Sequence, residues 1–205
     1  MKRHEWSCDP SQIITAFEQR YPHAEAAALL QWAFPTCESL CYLVDLCGEP
    51  TIYNAVVAVH HQDVVDVSHA RWAAMSSITS LDLAFAGLAR AVGGYSARLE
   101  CDIGKYSSPS KQMQVWILQL PPDVRSWLNN IINDPAYLLI KEVRNALTHR
   151  RLPRNLHLMV GGPSPGRSLE LNVSGCSVSI AEIVTTAYGV SARHLEHLLR
   201  LLPLL

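Results

Sequence analysis

The sequence predicts a mainly α-helical protein, a helical bundle with one small β-hairpin inserted before the last helix. Three observations predict this class. Apolar residues recur at helical spacing along most of the chain, and prolines and glycines divide it into segments of helix length. Only residues 156–174, approximately, have the alternation typical of strands. No linker, repeat or low-complexity tract divides residues 1–205, so we predict a single domain.

The amino-terminal quarter predicts three helices separated by proline. Asp9 suits an N-cap, and residues 10–20 form a helical segment with proline at its first position. Residues 24–34 are rich in alanine and leucine, which favour helix. Because proline disrupts a helix interior, Pro35 is expected to end that helix before a third one at 36–47.

The central part of the chain predicts the longest helix. Residues 51–67 are rich in valine and fit either strand or helix, and we favour helix because no turn signal divides them. Residues 68–92 predict the longest helix, with many small residues that suit the middle of a bundle. A polar loop at 98–108, a helix at 110–120 and a short helix opened by Pro122 are expected next.

The carboxy-terminal part changes from strand to helix patterning. Residues 156–160 and 168–173 predict the hairpin, and a third short strand is possible near 177–178. Ser179 opens a capping box for a final helix that continues to about Leu202. Its tail is apolar nearly all round, which predicts packing inside the protein or against another subunit.

The composition limits the compartment and the partners. Apolar residues make up 49% of the chain and charged residues 17%, and the formal net charge of -1 provides no global attraction for nucleic acid. The six cysteines contain no C-x-x-C pair, so we interpret them as small buried hydrophobic residues in a reducing cytosol. Neither a secretory signal nor an apolar run approaching the ~18 residues of a membrane span is present in the sequence, which predicts a soluble, cytoplasmic protein.

Residues 134–154 contain the main group of candidate functional residues. Asp134 suits an N-cap, and Pro153 bars continuation of the helix that follows. The polar face of this helix carries Glu142, Asn145 and His149. Its apolar stripe consists of Ala136, Leu139, Ile140, Val143 and Leu147.

Arg144-Asn145, followed four residues later by His149, resembles the signature of the HEPN family. Members are all-α bundles, commonly dimeric, and many are metal-independent ribonucleases that act as toxins or defence effectors. The resemblance implies a HEPN-type bundle that cleaves RNA without cofactor or metal. It also implies a homodimer whose activity is regulated by an antitoxin or other regulatory protein. It implies that His149 moves protons, that Arg144 binds the phosphate and that Asn145 orients or hydrogen-bonds the substrate.

Helix geometry places a condition on this site. Arg144 and His149 are five residues apart, which separates them by about 140° around the helix axis and roughly 7.5 Å along it. Asn145 and His149, four residues apart, share a face. A single helix therefore does not easily close the site, and either the length of arginine or a second copy of the chain would bring the groups together.

The same segment predicts an RNA-binding patch. Its basic residues suit RNA phosphates, although they would equally suit a solvated helix end. Some HEPN toxins carry a tyrosine two positions after the histidine as the target of a nucleotidyltransferase partner. Arg151 stands there in this chain, so neutralisation by that route is not expected. The predicted RNA-binding residues are Lys141, Arg150, Arg151 and Arg154.

Other candidate sites have simpler interpretations. His194 and His197 are three apart on a helix and could hold a metal, but we expect a surface face because no third ligand is evident. We interpret His60, His61 and His69 as structural histidines. Asp82, within the long helix, could be a polar group that faces a cleft, but we expect it to be exposed. No phosphate loop, dinucleotide fingerprint or nucleophile elbow is present in the sequence.

Two alternatives to a ribonuclease remain at this point. One is a catalytically silent HEPN-like bundle that binds nucleotide, RNA or a protein partner. The other is a helical scaffold whose resemblance to the family is accidental.

Overall fold

A computed structural model describes residues 4–49, 62–92, 102–106, 117–148, 170–173 and 176–205. The described part is mainly α-helical, as predicted. The helices are α1 (Pro10–Arg20), α2 (Ala24–Gly48), α3 (Gln62–Val92), α4 (Ile103–Tyr106), α5 (Pro122–Ile132), α6 (Pro135–Thr148) and α7 (Ile180–Leu201). A 3-10 turn at Leu202–Leu204 follows α7, and the strands are β1 (Glu170–Val173) and β2 (Cys176–Ser179).

Helices α2, α3 and α7 form the centre of the bundle. α3 packs along α2 and α7 and also contacts α6, while α1 packs on α2 and α5 on α7. Between α3 and α7, the buried hydroxyls of Ser77 and Ser191 hydrogen-bond to each other at 2.7 Å. Because both polar groups are satisfied, this pair fixes the packing of the two helices without an unpaired buried group.

The α2–α3 pair is antiparallel and closely packed. Near one end, a Cβ built on Gly87 would lie 2.7 Å from Leu30 Cγ and 2.8 Å from the carbonyl oxygen of Ala26. Near the other end, Cys47 Sγ lies 3.7 Å from His69 Nδ1. Only glycine permits the backbones to approach this closely, so Gly87 sets the spacing of the central pair.

The predicted break at Pro35 is wrong, because α2 continues through this residue to Gly48. Pro35 removes the backbone donor to the Gln31 carbonyl, and the Thr36 hydroxyl donates to the adjacent carbonyl, that of Trp32, at 2.7 Å. Phe34 and Cys37 are buried on either side of the proline. Burial of a continuous apolar face against α3 therefore outweighs the local cost of the proline.

The predicted start of α1 agrees with the structure, whereas the boundary predicted between residues 67 and 68 and the loop predicted at 98–108 are wrong. The Asp9 carboxylate accepts a hydrogen bond from the Ser11 amide at 2.9 Å and caps α1. α3 begins at Gln62, so the described end of the ambiguous stretch 51–67 is helical. The predicted loop at 98–108 is a short helix, α4, over its described residues. Residues 51–61 and most of the predicted helix at 110–120 lie outside the described residues.

A small antiparallel hairpin precedes α7. β1 pairs with β2 in a register that places Glu170 opposite Ser179 and Val173 opposite Cys176. The strand predicted at 168–173 therefore pairs with the third strand considered near 177–178. The first predicted strand, 156–160, lies outside the described residues.

The apolar tail after α7 packs inside its own subunit. Leu198, Leu199 and Leu202 are buried. Arg20 donates hydrogen bonds to the carbonyl oxygens of Leu202 and Pro203, at 2.7 and 3.0 Å. The internal arrangement therefore holds for Leu198, Leu199 and Leu202, whereas Leu204 is 78% exposed, and packing of the tail against another subunit stays a prediction.

One described helix segment, Val65–Val92, is long and apolar enough to cross a membrane, with a mean hydropathy of 1.2 in its most apolar window. Because 61% of that window is buried inside the protein, it fits the core helix of a soluble bundle rather than a multi-span membrane protein. A cytoplasmic location stays a prediction.

Candidate functional site

The beginning of α6 is fixed to α7 through Asp134. One carboxylate oxygen accepts from the Ala136 amide at 2.9 Å and caps the helix, as predicted. The other oxygen accepts from His194 Nε2 at 2.8 Å and from the guanidinium of Arg193. Burial alone would raise the pKa of Asp134, but the hydrogen bonds from Arg193, His194 and Ala136 lower it overall. A charged Asp134 thus determines where α6 starts.

The buried face of α6 is broader than the predicted stripe. Ile140 and Val143 are buried as predicted, and Tyr137 and Ala146 are buried beside them. The remaining members of the stripe, Ala136, Leu139 and Leu147, pack against the core in half-buried positions. Tyr137, which sequence patterning left out, is therefore part of the contact between α6 and the bundle.

Three of the predicted site residues lie in the described part of α6. Arg144 and Lys141 are half-buried, and Asn145 is exposed. The Thr148 hydroxyl donates to the carbonyl of Arg144 at 2.7 Å, which closes the last described turn. The other predicted site residues, which lie outside the described residues, are His149, Arg150, Arg151 and Arg154.

A polar cluster lies where α6 meets α3 and α4. Its members are Asp82, Asp102, Tyr137, Lys141 and Arg144. Asp82 accepts from the Ile103 amide at 2.9 Å, and Asp102 accepts from the Gly104 amide at 2.6 Å. Lys141 Nζ donates to the Gly104 carbonyl at 3.3 Å. The prediction that Asp82 is exposed is wrong, because its half-buried carboxylate holds the start of α4.

Tyr137 and Arg144 carry the unsatisfied polar atoms of this cluster. Neither the Tyr137 hydroxyl nor Arg144 Nε, both buried, has a hydrogen-bond partner in the described part of the chain. Burial raises the pKa of Tyr137, the negative charges of Asp82 and Asp102 raise it further, and Arg144 opposes them. The Tyr137 hydroxyl therefore lies within electrostatic range of both carboxylates and of the Arg144 guanidinium.

The two histidines of α7 lie in different surroundings. His194 is buried and bonded to Asp134, whereas His197 is exposed. The prediction that this pair is simply a surface face is therefore wrong for His194. Burial lowers the pKa of His194 more than Asp134 raises it. Within the described ranges, no group of three or more histidine, cysteine or acidic residues is placed to hold a metal ion.

His69 and the described cysteines agree with structural roles. His69 is buried next to Cys47, and burial lowers its pKa. Burial raises the pKa of Cys47 to about 11 and that of Cys37 further, so both stay neutral thiols. Cys8, Cys41 and Cys47 are only half-buried, less than we predicted. His60 and His61 lie outside the described residues.

The comparisons with known proteins find no match. No family model matches the chain, and no curated protein or solved structure matches it significantly. The HEPN resemblance therefore rests on the residues of the α6 segment.

Proposed function

We propose that this protein is a metal-independent endoribonuclease of the toxin–antitoxin or phage-defence type, in which Arg144, Asn145 and His149 act on the scissile phosphate. The proposal rests on one observation. Arg144 is half-buried in the last turn of α6, its Nε has no described partner, and the neighbouring Asn145 is exposed. A half-buried arginine beside an exposed polar residue can present its guanidinium to a phosphate.

The proposed reaction uses the neighbouring 2′-hydroxyl of the RNA as the nucleophile. A neutral imidazole of His149 accepts the 2′-hydroxyl proton, and the 2′-oxygen attacks the phosphorus. A 2′,3′-cyclic phosphate forms as the 5′-oxygen leaves, and a protonated imidazole supplies the proton to that oxygen. The Arg144 guanidinium stabilises the negative charge on the phosphoryl oxygens, and Asn145 orients the nucleotide by hydrogen bonding.

A second copy of the chain would satisfy the geometry. The roughly 140° between Arg144 and His149 on one helix makes contact with a single phosphate awkward. A two-fold axis between two α6 ends would bring each arginine near the histidine of the partner. In this arrangement one imidazole can act as base and the other as acid.

The basic residues of the segment are proposed to hold the RNA backbone. Lys141, Arg150, Arg151 and Arg154 would give local attraction that the net charge of -1 does not provide. Lys141 can offer the RNA only part of its hydrogen-bonding capacity, because its ammonium also donates to the Gly104 carbonyl.

A cleavage assay in EDTA with matched variants tests this function. Arg144→Ala and His149→Ala should each abolish cleavage of a mixed RNA substrate. Arg125→Ala is the control for arginine, since Arg125 is also half-buried on a helix and its Nε has no described partner. His197→Ala is the control for an exposed histidine. Equal loss in the controls, or cleavage that persists without Arg144 and His149, would contradict the proposal.

A non-catalytic HEPN-like module that binds nucleotide, RNA or a protein partner is the second candidate. The carboxylates of Asp82 and Asp102 favour it, because they act on Tyr137 in the same polar cluster as Arg144 and would repel a phosphate bound there. In that case the wild type binds RNA or nucleotide with micromolar or better affinity, and no variant or condition produces cleavage.

A further inference from the structure

The polar cluster where α6 meets α3 and α4 contains a buried donor that the proposed reaction does not use. Tyr137 is 1% exposed, and its hydroxyl has no hydrogen-bond partner in the described part of the chain. A buried hydroxyl without a partner lowers stability, and a phenylalanine would fill the same space without that loss. An unpaired buried group of this kind calls for an explanation, and a ligand that completes the hydrogen bond provides one.

Acceptors lie next to this donor. The Asp102 carboxylate accepts from the Gly104 amide at 2.6 Å, and the Asp82 carboxylate accepts from the Ile103 amide at 2.9 Å. Burial and then the two carboxylates raise the pKa of Tyr137, so both carboxylates lie within electrostatic range of a hydroxyl that stays protonated. Because a carboxylate has about four lone-pair sites, one backbone bond leaves Asp102 able to accept from a ligand as well. The cluster therefore presents a donor and acceptors together.

The charges of the cluster favour a neutral ligand. It contains the carboxylates of Asp82 and Asp102 and the cations Lys141 and Arg144. The carboxylates disfavour a phosphate at Tyr137, and the cations disfavour a metal ion there. A neutral group that carries N–H donors beside a carbonyl oxygen matches the carboxylates and the hydroxyl.

Tyr137 and the proposed phosphate ligand, Arg144, lie about one nucleotide length apart. Tyr137, Lys141 and Arg144 are spaced by four and three residues, which places them along one face of α6. The segment from Tyr137 to Arg144 advances about 10.5 Å along the helix axis. A phosphate bound at Arg144 can therefore place the base of the same nucleotide at Tyr137. Lys141, between them, donates to the Gly104 carbonyl over 3.3 Å, a long bond that its flexible side chain can give up when a base enters.

We propose that the polar cluster is a base-recognition subsite for guanine. The Tyr137 hydroxyl donates to the carbonyl oxygen of the base, and the Asp102 carboxylate accepts from the ring N–H and the amino group beside that carbonyl. The other three bases have no such pair of neighbouring donors, so each would leave an acceptor of the cluster unpaired. The subsite rests on the proposed function, because Arg144 sets the place of the phosphate, and it deepens that function by naming the base that is recognised.

Isothermal titration calorimetry of the full chain in EDTA, with the 3′-monophosphates of the four ribonucleosides, tests this subsite. The guanosine nucleotide should bind at least about tenfold more tightly than the other three. Tyr137→Phe and Asp102→Asn should each remove most of that preference, whereas Arg144→Ala should weaken all four nucleotides and keep it. Tyr42→Phe is the matched control, because Tyr42 is 46% exposed on α2 and lies outside the cluster, and it should change nothing.

Binding is measured without cleavage, so the subsite and the ribonuclease can fail separately. A guanosine preference that depends on Tyr137, in a protein that leaves RNA intact, would support the subsite and contradict the ribonuclease. Three results would overturn the subsite: equal affinity for the four nucleotides, no binding at millimolar concentration, or a guanosine preference that Tyr137→Phe keeps. A native circular dichroism spectrum of each variant shows that the comparison is between folded proteins.

Discussion

The Asp134 carboxylate accepts a hydrogen bond from His194 Nε2 at 2.8 Å while its other oxygen caps α6 through the Ala136 amide. The same residue thus begins the helix that carries the candidate site and attaches it to α7. Trp127 of α5 extends the connection, because its indole donates to the His194 carbonyl at 2.9 Å. The position of α6 therefore depends on a hydrogen-bonded network, in addition to apolar packing.

Removal of the Asp134 carboxylate should lower the stability of the whole bundle. We expect Asp134→Ala to reduce the free energy of unfolding by about 2–3 kcal/mol, because it deletes a cap and leaves buried His194 without its acceptor. Asp9→Ala, which removes a more exposed cap on α1, should cost about 1 kcal/mol. Urea denaturation measures both. A smaller loss in Asp134→Ala than in Asp9→Ala would contradict the coupling of α6 to α7.

Stability should decrease as the pH falls below neutrality. Burial lowers the pKa values of His69 and His194 below the ordinary value of 6.5, so the unfolded chain binds more protons than the folded one. Their contribution to stability is present above the unfolded pKa, about 6.5, and is lost as the pH falls through their folded pKa values. We expect a lower urea midpoint at pH 5 than at pH 7.5, and a smaller difference in His69→Gln or His194→Gln. A urea midpoint that does not change with pH would contradict this expectation. It would show that burial does not keep either imidazole neutral.

Gly87 should tolerate no side chain, in contrast to Gly189. The Cβ of Gly87→Ala would meet the Leu30 side chain and the Ala26 carbonyl at under 3 Å, which forces α2 and α3 apart. The expected loss is about 1–3 kcal/mol. The Gly189→Ala variant, in α7, meets nothing within 4 Å and should be neutral or stabilising by up to about 1 kcal/mol because alanine favours helix. Thermal melting of the two variants gives the comparison, and equal melting temperatures would contradict the close α2–α3 packing.

Tyr137→Phe should not destabilise the protein. The Tyr137 hydroxyl is buried without a described partner, so its removal relieves a desolvation cost of about 1 kcal/mol or leaves stability unchanged. Tyr137→Ala should cost about 3–5 kcal/mol through the cavity it creates. A loss of more than about 1 kcal/mol in Tyr137→Phe, measured by urea denaturation, would mean that the hydroxyl is bonded in solution.

The sequence predicts the helix starts at Asp9 and Asp134 because caps depend on residues a few positions apart. It fails at Pro35, where tertiary packing against α3 decides whether the helix continues. It also misses the polar cluster, since the surroundings of Tyr137 are set by Asp82 and Asp102, which are distant along the chain. Charge and burial that arise from distant contacts leave no periodic signal in the sequence.

End-group analysis of RNA incubated with the protein in EDTA tests the central proposal most directly. We expect fragments with 2′,3′-cyclic phosphate and 5′-hydroxyl ends, formed by the wild type and by Arg125→Ala but by neither Arg144→Ala nor His149→Ala. Intact RNA throughout, or fragments with 5′-phosphate ends that require a divalent metal, would contradict it.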